Sequence, residues 1–319
     1  MKVRWGLQEL PRLLDELGNE QPFLVASPRW EPPVEVTGRW SEVPSDRIEE
    51  AARVAEGANA LLAVGGGSAI DLAKAISVES GLPVVSVPTT YSGAEWTPSF
   101  GVRDHDRRRR GGGSGGHLAG IVYDPELTVG LPRAETVGTS MNALAHAAEA
   151  LYVKGRNPEG DREALAGAQL ISEWLSRVVA SPDDLEARRR LLEGAMHAGA
   201  ALASAGLGLG HAVAQTIGGR YGLPHGVMNA LSLPQALRFN EPAAAEEIAH
   251  FGEAMGTDDP IGRVEELARL GGFGRLRDYG VPEDDLTELA EAIKGRPGAD
   301  ANPRPATHAA LVELLRAMW

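Results

Sequence analysis

The stretch ALLAVGGGSAIDLAK, residues 60–74, decides the fold. An apolar run ends in three glycines and a helical pattern begins at once, so a buried strand passes through a tight turn into a helix. Gly65, Gly66 and Gly67 remove every Cβ from that turn, which leaves the N–H groups at the helix start open to an anion. The turn is therefore a candidate pyrophosphate seat. Ser68 and Asp71 also fit a capping box, which accounts for both residues with no ligand. The glycines do not form the G-x-G-x-x-G of the Rossmann fingerprint, so their weight comes from what surrounds them.

Outward from this turn, PFLVAS (22–27), PVVSVPTT (83–90) and AGIVYDP (119–125) are also apolar throughout, as parallel strands covered on both faces should be. The helical run SAIDLAKAISVESG supplies a βαβ crossover. In VPTTYSGAEWT (87–97), Thr89, Thr90 and Ser92 bring hydroxyls to the same carboxyl edge of the sheet, where ligands of open α/β sheets bind. The threonine pair would serve equally to end a strand. Residues 1–18 read as an amphipathic helix. The basic and glycine-rich segment 103–120 has no apolar periodicity and reads as a flexible solvent loop, with a lid or anion-gathering role as the alternative. Beyond residue 136 apolar residues recur every three or four positions, as in TSMNALAHAAEALYV and LEARRRLLEGAMHAGAALASAG. The expected fold is an α/β nucleotide-binding domain with a parallel sheet over 1–135, followed by an all-α domain over 136–319.

The chain has 319 residues, 43% hydrophobic, enough for two ordinary cores. A formal net charge of -13 disfavours a nucleic-acid partner, which would need a basic surface. With no cysteine, disulfides, thiolate nucleophiles and Cys-ligated zinc are excluded. No export signal or apolar membrane span is legible, so a cytoplasmic protein acting on a small molecule, away from membranes and as a homodimer, is expected.

GGGSAIDLAK, PTTYSGAEWTP, VYDPELTVGLP, MNALAHAAEALY, GHAVAQTIGGRYGLPHG and NPRP, in that order, resemble the iron-containing alcohol dehydrogenase family. That family shares its two-domain fold with glycerol dehydrogenases and dehydroquinate synthases. The resemblance implies NADH or NADPH as cofactor, with Gly65, Gly66, Gly67 and Ser68 at the pyrophosphate, Asp71 beside them, and Thr89, Thr90 and Ser92 toward the nicotinamide. It implies hydride transfer, with the helical domain supplying the electrophilic site. Asn142 and the PTTYSGAEWTP string look most like the maleylacetate reductase branch. Two departures stand out. Residues 28–59 look too short for the helix and strand the family places there. In SPRW (27–30), Arg29 stands near where an acidic residue often binds ribose, and it could tolerate a 2′-phosphate.

Asn142 and His146 lie four apart on a helical run, and His211 and Gln215 repeat that spacing, with His225 following GGRYGLPHG. In metal-dependent relatives, the resemblance implies, the positions of Asn142, His146, His211 and His225 are an Asp and three His that hold the ion. A neutral amide in place of the carboxylate should weaken binding of a divalent metal. Three imidazoles can still hold one, so iron or zinc stays open while a metal-free site is the preferred expectation. Such a site would stabilise an enolate through an imidazolium, with His225 first, His211 next and His146 in support. Each histidine could instead be a satisfied core residue. Gln215 stands where relatives place a proton-relaying His. The reading is thus a maleylacetate reductase-type oxidoreductase; the alternatives are a metal-dependent alcohol or aldehyde dehydrogenase and a non-redox or ligand-binding relative.

Overall fold

A computed structural model describes all residues, Met1–Trp319, as two compact units, Met1–Leu131 and Pro132–Trp319. In the first unit the order is β1 (Lys2–Trp5), α1 (Leu10–Leu17), β2 (Pro22–Val25), β3 (Gly38–Trp40), α2 (Ile48–Val54), β4 (Ala60–Gly65), α3 (Gly67–Ser80), β5 (Val84–Pro88), β6 (Phe100–Arg103), β7 (Arg109–Gly113) and β8 (Leu118–Tyr123). Six strands form one parallel sheet in the order β1-β8-β5-β4-β2-β3, and β6 pairs with β7 in a separate antiparallel hairpin.

Alternation along β4 explains why the strand is apolar throughout. Leu61 and Ala63 pack with Phe23, Ile70 and Ile76 on one face, while Leu62 and Val64 pack with Leu10, Leu13 and Val85 on the other. Each fully buried leucine contributes about 1.5–3 kcal/mol, so both faces stabilise the sheet.

Four sequence readings need correction. Residues 2–5 form an edge strand beside β8 and the helix begins only at Leu10. Residues 28–59 do hold a strand and a helix, shortened to β3 and α2. The segment 103–120 is no structureless loop, because it closes the β6–β7 hairpin and opens β8. The capping box is absent: α3 starts at Gly67 with Gly66 as its N-cap and no side-chain cap, which puts Ser68 two residues past the cap position.

The second unit is helical: α4 (Arg133–Ala150), α5 (Pro158–Ala180), α6 (Leu185–Ala205), α7 (Leu209–Tyr221), α8 (His225–Asn240), α9 (Ala245–Ala254), α10 (Pro260–Arg269), α11 (Leu286–Lys294), α12 (Pro297–Asp300) and α13 (His308–Met318). One core joins Val213, Ile217 and Met228 to Leu289, Ile293, Leu311 and Leu315. Helices α4 and α8 cross with backbone against backbone, since a Cβ on Gly226 would lie 2.4 Å from the Gly138 carbonyl carbon. No helix is long and apolar enough to cross a membrane.

Candidate functional site

In the first unit, the glycine and threonine turns are packed on each other at the carboxyl ends of β4 and β5. Thr89 N–H donates to Gly65 O at 3.0 Å. Gly65 has φ 154, and a Cβ there would meet Ala69 at 2.8 Å; a Cβ on Gly66 would meet the Thr90 methyl at 2.8 Å. These glycines are thus needed for the approach of protein to protein as well as for any ligand. Gly67 is less constrained, with Ser92 Oγ 3.4 Å from its Cβ position.

Beyond this contact the turn is open. Ser68 is exposed, Gly66 and Gly67 are half-buried, and the first N–H groups of α3 have no intrahelical partner. The buried Oγ1 atoms of Thr89 and Thr90 make no hydrogen bond. Orphaned hydroxyls beside a helix N-terminus fit a polar, anionic ligand such as a dinucleotide. The Asp71 carboxylate accepts from Lys74 Nζ at 2.8 Å and from Gly101 N at 3.1 Å.

Lys74 is only 1% exposed, and its ammonium also donates to Ala94 O, Thr97 O and Ser99 O at 2.9, 3.3 and 2.5 Å. It ties the segment after the threonine turn to α3. Beside it, Tyr123 OH donates to buried Glu95 at 2.6 Å and accepts from Trp96 Nε1 at 2.8 Å. Burial pushes the Glu95 carboxyl above its ordinary range, against the pull of the Tyr123 hydroxyl and the Lys74 charge.

In the second unit, the crossing at Gly138 and Gly226 sets the other constellation. One turn beyond Gly138, α4 presents Asn142 and then His146; one turn beyond Gly226, α8 presents Asn229. Asn229 Nδ2 donates to Asn142 Oδ1 at 2.7 Å and to His225 Nε2 at 3.0 Å. The His146 and His211 rings stack with centroids 4.6 Å apart, and His225 lies 5.9 Å from His211. The four positions singled out in the sequence, Asn142, His146, His211 and His225, thus come together.

Sequence reasoning missed Glu149. It is fully buried and accepts three hydrogen bonds from the start of α7: Gly208 N at 2.7 Å, His211 N at 3.1 Å and His211 Nδ1 at 2.6 Å. A carboxylate there caps the helix and fixes the His211 ring, whose Nε2 lies 3.3 Å from Asn142 Oδ1. The signal was available: Glu149 follows His146 by three residues on the same helix face, in an otherwise apolar run. Asn229, four residues after His225, was missed too. Burial, reinforced by the charges of His211 and His225, drives the His146 pKa well below its usual value, and its Nδ1 has no hydrogen-bond partner.

Asn142 Oδ1 and His225 Nε2 both receive the Asn229 amide, so the lone pairs a metal would take are directed at a protein N–H. No group of three His, Asp or Glu side chains stands in metal-holding geometry. Two of the four candidate donors are thus engaged by the Asn229 amide in this arrangement. Gln215 sits half-buried one turn after His211. Arg220 is engaged with Asp285 and Glu288, Arg238 with Glu265, and Arg304 with Phe239 O.

Residues 5–118 match the iron-containing alcohol dehydrogenase family and residues 136–319 match the C-terminal part of the Fe-containing alcohol dehydrogenase family. A maleylacetate reductase of Burkholderia cepacia is 35% identical, covering 97% of this chain and 92% of its own. The crystal structure of an iron-containing alcohol dehydrogenase from Corynebacterium glutamicum superposes with a TM-score of 0.91 at 32% identity, covering 100% of this chain and 94% of that one. A maleylacetate reductase from Agrobacterium tumefaciens gives a TM-score of 0.89 at 29% identity, covering 100% and 95%.

Proposed function

The chain belongs to the iron-containing alcohol dehydrogenase family and is an NAD(P)-dependent oxidoreductase, and from that premise we propose that it is a metal-independent reductase of the maleylacetate type. The observation that carries the metal-independent part is Asn142, a neutral amide whose carbonyl is spent on Asn229. The substrate is an unsaturated oxo-acid, the class named by the relatives of this chain.

NADH or NADPH, held at the open start of α3 and by Thr89, Thr90 and Ser92, supplies the hydride when bound. Hydride addition to an enone leaves negative charge on the ketone oxygen, and the second unit must stabilise and protonate it. His225 and His211 take that work. With Asn229 on its Nε2, His225 is a neutral imidazole with its ring proton on Nδ1, and from there it would donate a hydrogen bond to the developing oxyanion. Glu149 holds His211 in one orientation, as a buried carboxylate does for a working imidazole. His146 stays neutral because burial disfavours its charged form, so it shapes the pocket and contributes least to proton transfer.

The test is NADH oxidation with maleylacetate before and after chelation, alongside elemental analysis. Turnover unaffected by chelation in protein carrying substoichiometric iron and zinc is the expected outcome. One tightly held metal per chain, with activity lost on its removal and restored on its return, would sink the metal-free mechanism in favour of a metal-dependent dehydrogenase. Asn142→Asp should raise zinc affinity about tenfold or more by restoring an anionic ligand, read as a zinc-dependent rise in Tm.

A further inference from the structure

Five arginines, Arg103 and Arg107–Arg110, crowd the β6–β7 hairpin of a chain whose net charge is -13. Of these, Arg110 alone is paired with a carboxylate, that of Asp104. Arg103 and Arg109 reach only backbone oxygens, Arg107 O and Gly111 O, both at 3.0 Å. Arg107, Arg108 and Arg109 are exposed. A run of like charges left to itself repels and unfolds, yet this one is held in a built turn. Asp104, 4% exposed, accepts Arg108 N at 2.9 Å and Arg110 Nε at 2.6 Å. Arg107 is the chain's one non-glycine residue at positive φ, 63°, a conformation that costs energy at an arginine. The fold thus spends stability to keep guanidinium groups together, with only that of Arg110 paired to a carboxylate.

The direction of the hairpin says where they are kept. Ser99 O meets Lys74 of α3, Gly101 N meets Asp71 one turn nearer the helix start, and β6 continues the same way to Arg103. Two further strand residues advance about 6–7 Å, and the four residues from Asp71 back to Gly67 span about 6 Å. The arginine turn therefore stands level with, or just beyond, the N-terminus of α3. Arg103 itself is held below its ordinary pKa chiefly by burial, with the charges of Arg109 and Arg107 adding to it against the attraction of Asp71.

We propose that the arginine turn, residues 103–110, is a second anion site of the cofactor-binding unit, which captures the phosphate groups of the dinucleotide as they settle on the glycine turn. This rests on the cofactor reading of Gly65–Ser68. Bidentate guanidinium groups on a solvent-facing edge suit phosphate oxygens better than a single ammonium would, and a concentrated positive potential speeds capture in an otherwise acidic protein.

The experiment is NADH titration followed by tryptophan fluorescence at 20–300 mM NaCl, with the wild type, Arg107→Gln/Arg108→Gln/Arg109→Gln, and the corresponding triple Lys variant. The wild-type affinity should fall steeply with salt. The Gln variant should bind about tenfold or more weakly at low salt and show a flatter salt slope, converging with the wild type at high salt, while its Tm is unchanged. The Lys variant should recover most of the salt slope. Equal affinity and slope in the Gln variant and the wild type would overturn the proposal. So would a variant whose KM rises for the oxo-acid alone, which would make the anion site the substrate's. A wild type that binds no NADH at any salt would instead bring down the cofactor reading itself.

Discussion

The turn region of the first unit and the histidine cluster of the second are both polar and assembled by glycine-enabled approach of backbone, and both keep buried polar atoms unmet, His146 Nδ1 and Asn229 Oδ1 in the cluster included, yet they differ in how far their side chains are held. At the turns, Thr89 and Thr90 hold buried hydroxyls with no partner, and the first N–H groups of α3 are open. In the cluster, Glu149, Asn142 and Asn229 bind one another's neighbours, so that His211 and His225 are oriented before any ligand arrives. A place that must receive a large ligand leaves donors and acceptors unmet, since each buried unmet group costs about 1–3 kcal/mol that the ligand recovers. A place that must do chemistry on a small molecule fixes its side chains in advance.

If that contrast holds, His225→Ala should strike turnover and spare cofactor binding. A fall of about 10²–10⁴ in kcat with unchanged NADH affinity is expected from lost acid catalysis, measured by steady-state kinetics beside fluorescence titration. Full activity in a folded variant would move the chemistry elsewhere. Next in size is Gly226→Ala. Its Cβ would sit 2.4 Å from the Gly138 carbonyl carbon, forcing α8 off α4 at about 1–3 kcal/mol and parting Asn142 from Asn229. Gly67→Ala meets nothing closer than Ser92 Oγ at 3.4 Å, so its thermal stability should stay within about 1 kcal/mol of the wild type while cofactor affinity drops. Similar denaturation curves for the two would erase the difference between the regions.

The smallest effect concerns pH. Burial raises the folded-state pKa of Glu95 above the unfolded value near 4.5, so the folded protein binds more protons from 4.5 up to that raised value. Stability from this group is present below pH 4.5 and is lost as pH rises through the window. Glu95→Gln should remove that slope and leave the protein slightly more stable at neutral pH, as seen in urea melts at several pH values. An unaltered pH profile would show that the Tyr123 hydroxyl and Lys74 charge already offset the burial.

What the sequence made legible follows from how each element is stabilised. Strands β2, β4, β5 and β8 are covered on both faces and read as unbroken apolar runs. Strand β1, KVRW, is an edge strand with one hydrogen-bonded neighbour, and its pattern merges into the helix that follows. The hairpin was illegible because Arg109–Gly113 is exposed along its whole length and is held by backbone pairing, which leaves no hydrophobic signature. In the cluster the three histidines announced themselves by type and spacing. Glu149 gave a weaker signal, its place three residues after His146 in an apolar run, because a glutamate in a helix ordinarily reads as a solvated charge and its packing against the start of α7 makes it a buried acceptor.

The chain contains four lysines, and three of them, Lys2, Lys154 and Lys294, are exposed. Lys74 alone is sealed, every ammonium hydrogen engaged by a carbonyl or by Asp71. An amine-acylating reagent should therefore modify three lysines quickly and the fourth only when the 94–99 segment lifts away from α3. The mass increment on Lys74 becomes a chemical clock for that local opening, readable in the intact protein without any introduced probe.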